Sequence, residues 1–122
     1  MKESEVLEVN DEMLCLLKES VSRYNERKGK DIPVDFYKEV QPAVQESTQI
    51  IDTWTENATR YISEKRPRYL HVSQIEAVKE NLNEVVLQSF FCKIHLKRFK
   101  DLSESVQYTL KTLKDYVKEG SR

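Results

Sequence analysis

The stretch from residue 37 to residue 61, YKEVQPAVQESTQIIDTWTENATRY, decides the fold. Its apolar residues Tyr37, Val40, Val44, Ile51, Trp54, Ala58 and Tyr61 recur at alternating steps of three and four, with Ser47 filling the one gap. That rhythm keeps one side of an α-helix apolar, and it suits a helix packed at a shallow angle on its neighbours in a bundle. Pro42 interrupts the pattern, because it lacks an N–H and its ring crowds the preceding turn. The expectation is a short helical turn over 35–41, a kink, and a longer helix that ends near Lys65, with Pro67 as the stop.

Working towards the N-terminus, Val6, Val9, Met13, Leu16, Leu17, Val21 and Tyr24 share one side of a helical wheel, and most of the glutamates fall elsewhere. This predicts an amphipathic helix over about residues 3–27. Gly29 can adopt the left-handed cap conformation, and Pro33 keeps Ile32 out of helical geometry. Towards the C-terminus, Ser73 and Glu76 read as a capping box, with Val72 stapled onto Ala77. From there Ile75, Val78, Leu82, Val85, Cys92, Leu96 and Phe99 continue a seam that also contains Ser89, widened by Val86, Phe90 and Ile94. No Gly or Pro separates a third helix from a fourth, so Asp101, with Glu104 three residues on, is the expected N-cap. Leu102, Val106, Leu110, Leu113 and Val117 form the last stripe, and Gly120 closes it. Alternation of period two persists nowhere. The sequence therefore predicts an all-α protein: one domain over 1–122, an antiparallel up-and-down four-helix bundle joined by short connections.

Composition agrees. With 122 residues, 34% charged, 39% hydrophobic and only two Gly and three Pro, the chain spends its charge on the wet faces of helices and has little for turns. A chain of this size buries roughly two-thirds of its unfolded surface, enough for a core without staples. Cys15 and Cys92 are expected to be free thiols. The net charge of −1 argues against a dedicated nucleic-acid or anionic-membrane binder. No apolar run approaches the ~20 residues that cross a bilayer. The start, MKESEVLEVNDEM, lacks the basic and apolar regions of a signal peptide, so a cytoplasmic location is expected.

Candidate chemistry is sparse. A di-iron bundle needs Glu-x-x-His pairs, but Arg68 and Cys92 stand three residues before His71 and His95. Cys92-x-x-His95 has no local third ligand for zinc. Two isolated glycines cannot build a phosphate-cradling loop. No metal, cofactor or catalytic set is expected. Two basic clusters remain: Arg60, Lys65, Arg66, Arg68 and His71 near the end of the second helix, and Lys93, His95, Lys97, Arg98 and Lys100 near the expected end of the third. In an up-down bundle they occupy opposite poles, about 39 Å of helix apart. Cations are favoured at helix C-termini, which accounts for both without a ligand. Acidic residues at the start of the first helix and Asp31, Asp35 and Glu39 are expected to share those poles.

Within the first cluster, Arg66, Arg68, Tyr69 and His71 are the candidate binding residues. Arg66-Pro67-Arg68-Tyr69-Leu70-His71 resembles the Arg-x4-His spacing of HEPN ribonucleases, which are also helical bundles. It departs from them in the proline that follows the arginine, where a polar residue is usual. Arg would stabilise a phosphorane and His would move a proton.

A wider resemblance covers nearly the whole chain. Asp35-Phe36-Tyr37 with Gln41-Pro42-Ala43-Val44, then Arg66-Pro67-Arg68-Tyr69-Leu70-His71 and Gln74-Ile75-Glu76-Ala77-Val78-Lys79, are similar to the YppE-like family of small Bacillus and Firmicutes proteins. Val86-Leu87-Gln88-Ser89-Phe90, His95-Leu96-Lys97-Arg98-Phe99-Lys100-Asp101 and Ser105-Val106-Gln107-Tyr108-Thr109-Leu110 complete the match. The resemblance implies a cytoplasmic four-helix up-and-down bundle and no activity, because the family's function is unknown. The leading expectation is a non-enzymatic module that binds another protein or a second copy of itself, with no membrane and nucleic acid disfavoured. A fourth helix shorter than the second and third is expected to leave apolar surface exposed, with Ile50, Leu87 and Phe91 as a candidate patch. The alternative is a phosphate-bearing ligand or nucleic acid at the Arg66–His71 loop.

Overall fold

The computed structural model describes residues 3–120. Four α-helices run up and down: α1 (Glu3–Arg27), α2 (Gln41–Lys65), α3 (Val72–Phe91) and α4 (Leu96–Gly120), with a π-helical turn (Phe36–Val40) leading into α2. No strand occurs among the described residues. One pole gathers the ends of α1 and α3 and the starts of the π turn and α4. The other gathers the start of α1, the end of α2 and the 66–71 loop, where Lys65 Nζ lies 3.8 Å from Glu3 Oε1.

The core follows the four stripes. Trp54, Ile51, Ala58, Leu82, Val85, Val106, Leu110, Leu113 and Val117 are fully buried in one cluster to which every helix contributes. The helices stand at the corners of a rhombus: α1 and α3 pack on each other and on both remaining helices, while α2 and α4 are held apart. Asn10 spans that separation. Its side-chain Nδ2 donates to the Leu110 carbonyl on α4 at 2.9 Å, and its Oδ1 accepts from Trp54 Nε1 on α2 at 2.8 Å. The indole can only donate, so the orientation of the amide is settled. Burying Asn10 completely is tolerable because both ends of the amide are bonded.

Several boundaries differ from the sequence reading, each for a physical reason. Tyr37 is not part of the seam; it is 77% exposed. The Val40 N–H reaches the Asp35 carbonyl and the Gln41 N–H the Phe36 carbonyl, five residues back. The wider turn rotates Tyr37 outward. Pro42 falls in the first turn of α2, where its missing N–H has no intrahelical partner to lose. A reciprocal cap closes the π turn, with Asp35 Oδ1 accepting from the Lys38 N–H and Glu39 Oε2 from the Asp35 N–H, both at 3.0 Å. Hydrogen bonds from the Asp35 backbone and from Arg27 hold the Glu39 carboxyl below its ordinary range.

Helix α3 starts earlier than the Ser73 cap implies. His71 is its N-cap, and Gln74 Oε1 accepts from the His71 N–H at 2.7 Å. With His71 as N-cap, Val72 is the first helical residue instead of the N′ residue that a staple requires. The third joint differs most. Cys92 takes a left-handed conformation (φ 52°), and α4 begins at Leu96, five residues before Asp101, which lies within the helix. At 25 residues α4 matches α2 and exceeds α3, which has 20. It is therefore long enough to cover the bundle, and Ile50, Leu87 and Phe91 are half-buried rather than an open patch.

Asn10→Ala should cost about 3 kcal/mol, because it leaves a small cavity and a buried indole N–H without an acceptor. Trp54→Phe in the Asn10→Ala background should cost less than Trp54→Phe alone, giving a coupling of about 1–2 kcal/mol in a urea double-mutant cycle. Additive single effects would mean that the indole–amide bond contributes nothing.

Candidate functional site

The Arg66–His71 loop comes first. Arg66 sits at the C-cap of α2 in left-handed geometry (φ 44°), its N–H bonded to the Ile62 carbonyl at 2.9 Å. Leu70 is fully buried and anchors the loop to the core, while Arg66, Arg68, Tyr69 and His71 are exposed. The Arg68 guanidinium lies 5.4 Å from the centre of the Tyr69 ring, and the Tyr69 N–H donates to the Tyr116 hydroxyl at 2.9 Å. His71 is bonded through its backbone to Gln74. The loop thus gathers the four residues on a single solvated turn, in which each backbone interaction serves helix capping or attachment to α4.

The second basic cluster lies at the expected pole, but at the joint and the start of α4 rather than at the end of α3. With the joint at residues 92–95, Lys97 and Arg98 occupy the first turn of α4, a turn without an acidic residue. The helix dipole disfavours cations there, so it cannot account for them. Glu39 is bound to Arg27 at 3.0 Å rather than to this cluster. Lys93, His95, Lys97, Arg98 and Lys100 are all exposed, and none makes an ion pair among the described residues.

What holds the joint also builds the adjacent surface. The Tyr24 hydroxyl on α1 donates to the Ile94 carbonyl at 2.9 Å, and its ring stacks on Phe99 with centres 3.8 Å apart and planes 10° from parallel. Gln88 Oε1 accepts from the Lys93 N–H at 2.9 Å. Beside this anchor an open groove of about 690 Å3 runs between α1 and α4. Leu14, Val21 and Leu96 are the accessible apolar residues of its floor, with Leu17 and Phe99 buried beneath them. Lys18, Lys28 and Lys100 stand on its rim with one acid, Glu104. Leu96, expected in the core, is 42% exposed in this wall because α4 starts there instead of continuing α3. A second groove, on the other flank of α1 against α2, is lined by Glu8, Asp11, Glu12, Glu19 and Glu46, with Arg23 at one end. Asp11 also reaches across to Lys114 of α4 at 3.2 Å, so the contrast lies between the grooves: the first has three lysines to one glutamate on its rim, and the second is mainly acidic.

Near the same pole, Arg23 lies over the Phe90 ring at 4.1 Å and donates to Ser89 Oγ at 2.9 Å. Burial, and then the Arg27 charge, lower the pKa of Arg23. Cys92 is half-buried, and burial raises its thiol pKa; Cys15 is exposed. Among the described residues no group of three His, Cys, Asp or Glu side chains is placed to hold a metal, and no helix is long and apolar enough to cross a membrane.

With that geometry in view, the relatives give the chain its place. Residues 10–117 match the model of the bacterial domain of unknown function DUF1798, and the chain belongs to that family. It is 43% identical over 118 residues to the uncharacterized protein YppE of Bacillus subtilis, covering 96% of each chain. The crystal structure of YppE superposes with a TM-score of 0.93 at 42% identity, over the full length of both chains. A Listeria innocua protein of unknown function gives a TM-score of 0.92 at 26% identity, covering 98% of this chain and 95% of that one. The YppE-like resemblance and the four-helix fold are thus established, and the family assigns no activity to any residue.

Burial raises the pKa of the Tyr24 phenol above its ordinary value of 10.0, with Cys92 adding to the effect. Above that value the unfolded phenol ionises before the folded one, so its contribution to stability falls as pH rises. Tyr24→Phe should lower stability at about pH 8 by about 1 kcal/mol, through loss of the bond to Ile94. It should also flatten the fall between about pH 9.5 and about pH 11. Urea midpoints across that range check both. A variant that falls as steeply as the wild type would place the alkaline sensitivity elsewhere, with Tyr61, whose pKa burial also raises, as the next phenol to test.

Proposed function

We propose that the protein acts by binding another protein, without catalysing a reaction, and that the α1–α4 groove is its docking surface. The observation that carries this reading is the open apolar floor, backed by the Tyr24–Phe99 stack. Apolar surface held open by a rigid frame favours association, because little ordering remains to be done when a partner arrives. A long trough between two helices suits the mode in which an amphipathic helix lays its apolar face into a groove. The exposed turn of Arg66, Arg68, Tyr69 and His71 supports the competing reading, a phosphate-bearing ligand held by cations.

A photo-crosslinking residue at Gln107, on the groove wall, tests the proposal against one at Glu56, on the opposite α2–α3 face. In native lysate the Gln107 probe should form a protein adduct that the Glu56 probe does not. The adduct should survive moderate salt, disappear in a Val21→Thr/Leu96→Ser variant, and persist in an Arg66→Ala/Arg68→Ala/His71→Ala variant. Equal adducts from both faces would refute the groove as the docking site. Capture of nucleic acid or a phosphorylated small molecule, lost with salt and lost in the Arg66/Arg68/His71 variant, would replace this reading with the anion-binding one.

A further inference from the structure

Resting on the groove as docking surface, we infer that its occupant is an acidic amphipathic helix of another protein, about four turns long. The length follows from the walls. From Leu14 to Lys28 the α1 wall spans 14 residue steps, or about 21 Å, which a helix of about 14 residues matches. The polarity follows from the floor, which offers apolar side chains from both walls and leaves the flanks of a docked helix to meet the rim.

The charge follows from the lysines on the rim. Lys18 and Lys28 on one rim and Lys100 on the other are exposed and make no ion pair among the described residues, so they stand available over an apolar surface. Lys97 and Arg98, in the first turn of α4 where the helix's own dipole opposes them, add positive charge to the same pole without lining the groove. Nor is the basic rim a sample of the overall surface. The chain's net charge is −1, and the second groove is mainly acidic. The rim carries three lysines to one glutamate over apolar surface, which steers an acidic partner to that face and repels a basic one.

The test uses the full chain and displayed, helix-stabilised peptides of about 14 residues. All carry an apolar stripe at helical spacing, and their flanks are Asp/Glu, Asn/Gln or Lys/Arg. Acidic-flank peptides should supply the binders. In a Lys18→Glu/Lys28→Glu/Lys100→Glu variant their association rate should fall about tenfold, with dissociation changed less than about twofold. Raising salt from about 50 to about 300 mM should likewise slow association. Val21→Thr/Leu96→Ser should instead speed dissociation. Circular dichroism and thermal unfolding of both variants establish that the fold is kept.

Binders with neutral or basic flanks that match the acidic ones, and that are lost in Val21→Thr/Leu96→Ser, would overturn the acidic occupant and leave the groove as docking site. If no peptide's binding responds to Val21→Thr/Leu96→Ser, the groove reading itself fails. Two further outcomes would each replace the peptide. One is phosphatidylglycerol vesicles that bind the wild type and not the lysine variant, without peptide binding. The other is self-association in sedimentation that the same variant abolishes.

Discussion

The amide of Asn10 is the contact on which the arrangement of the bundle depends. The helices α2 and α4 occupy far corners of the rhombus and are linked through this one side chain on α1, which takes a proton donor from one and gives a donor to the other. A wholly apolar core is tolerant of sliding, because one methyl contact substitutes for another. A buried amide is not, since a shift of a single turn would strand an indole N–H and two amide groups in a dry interior. Asn10 thereby sets the rise of α2 against α4 as well as filling space.

A second polar anchor does for the pole what Asn10 does for the middle. The Tyr24 hydroxyl ends on the Ile94 carbonyl, and the ring below it stacks on Phe99, so one residue of α1 fixes where α3 stops and where α4 begins. The left-handed Cys92 is the strained element in that joint, and the buried ring and its hydrogen bond compensate for it. Starting α4 at Leu96 has a consequence beyond topology. It turns Leu96 from a core position into a groove wall and sets Lys97 and Arg98 at a helix start. The candidate docking surface is thus a by-product of the joint.

Most of the elements were legible because they rest on periodicity. The stripes of α2 and α4 and the left-handed Gly29 needed only spacing and local conformational preference. Asn10 was not legible. It lies within the apolar stripe of α1, as Ser20 does, and a polar residue there shows no role until Trp54 and Leu110 are seen to face it. The capping residue of α3 was misplaced because two overlapping patterns, His71 with Gln74 and Ser73 with Glu76, compete, and Leu70 being drawn into the core selects the earlier one. The groove was invisible for a different reason. Its lysines lie in two helices far apart in sequence, whereas the Arg66–His71 turn is contiguous and therefore conspicuous.

By itself the sequence determined that this chain is helical, that it has four amphipathic stripes, and that short connections make neighbours antiparallel. These are local properties, written in steps of three and four residues and in a few residues with restricted backbone angles. The tertiary structure decided the break between α3 and α4, the outward turn of Tyr37, the bridge at Asn10 and the pairing of an apolar floor with a basic rim. Each of those depends on which side chain meets which across helices, and a hydrogen bond or a stack between residues 24 and 94 or 99 leaves no trace in the local pattern of either segment.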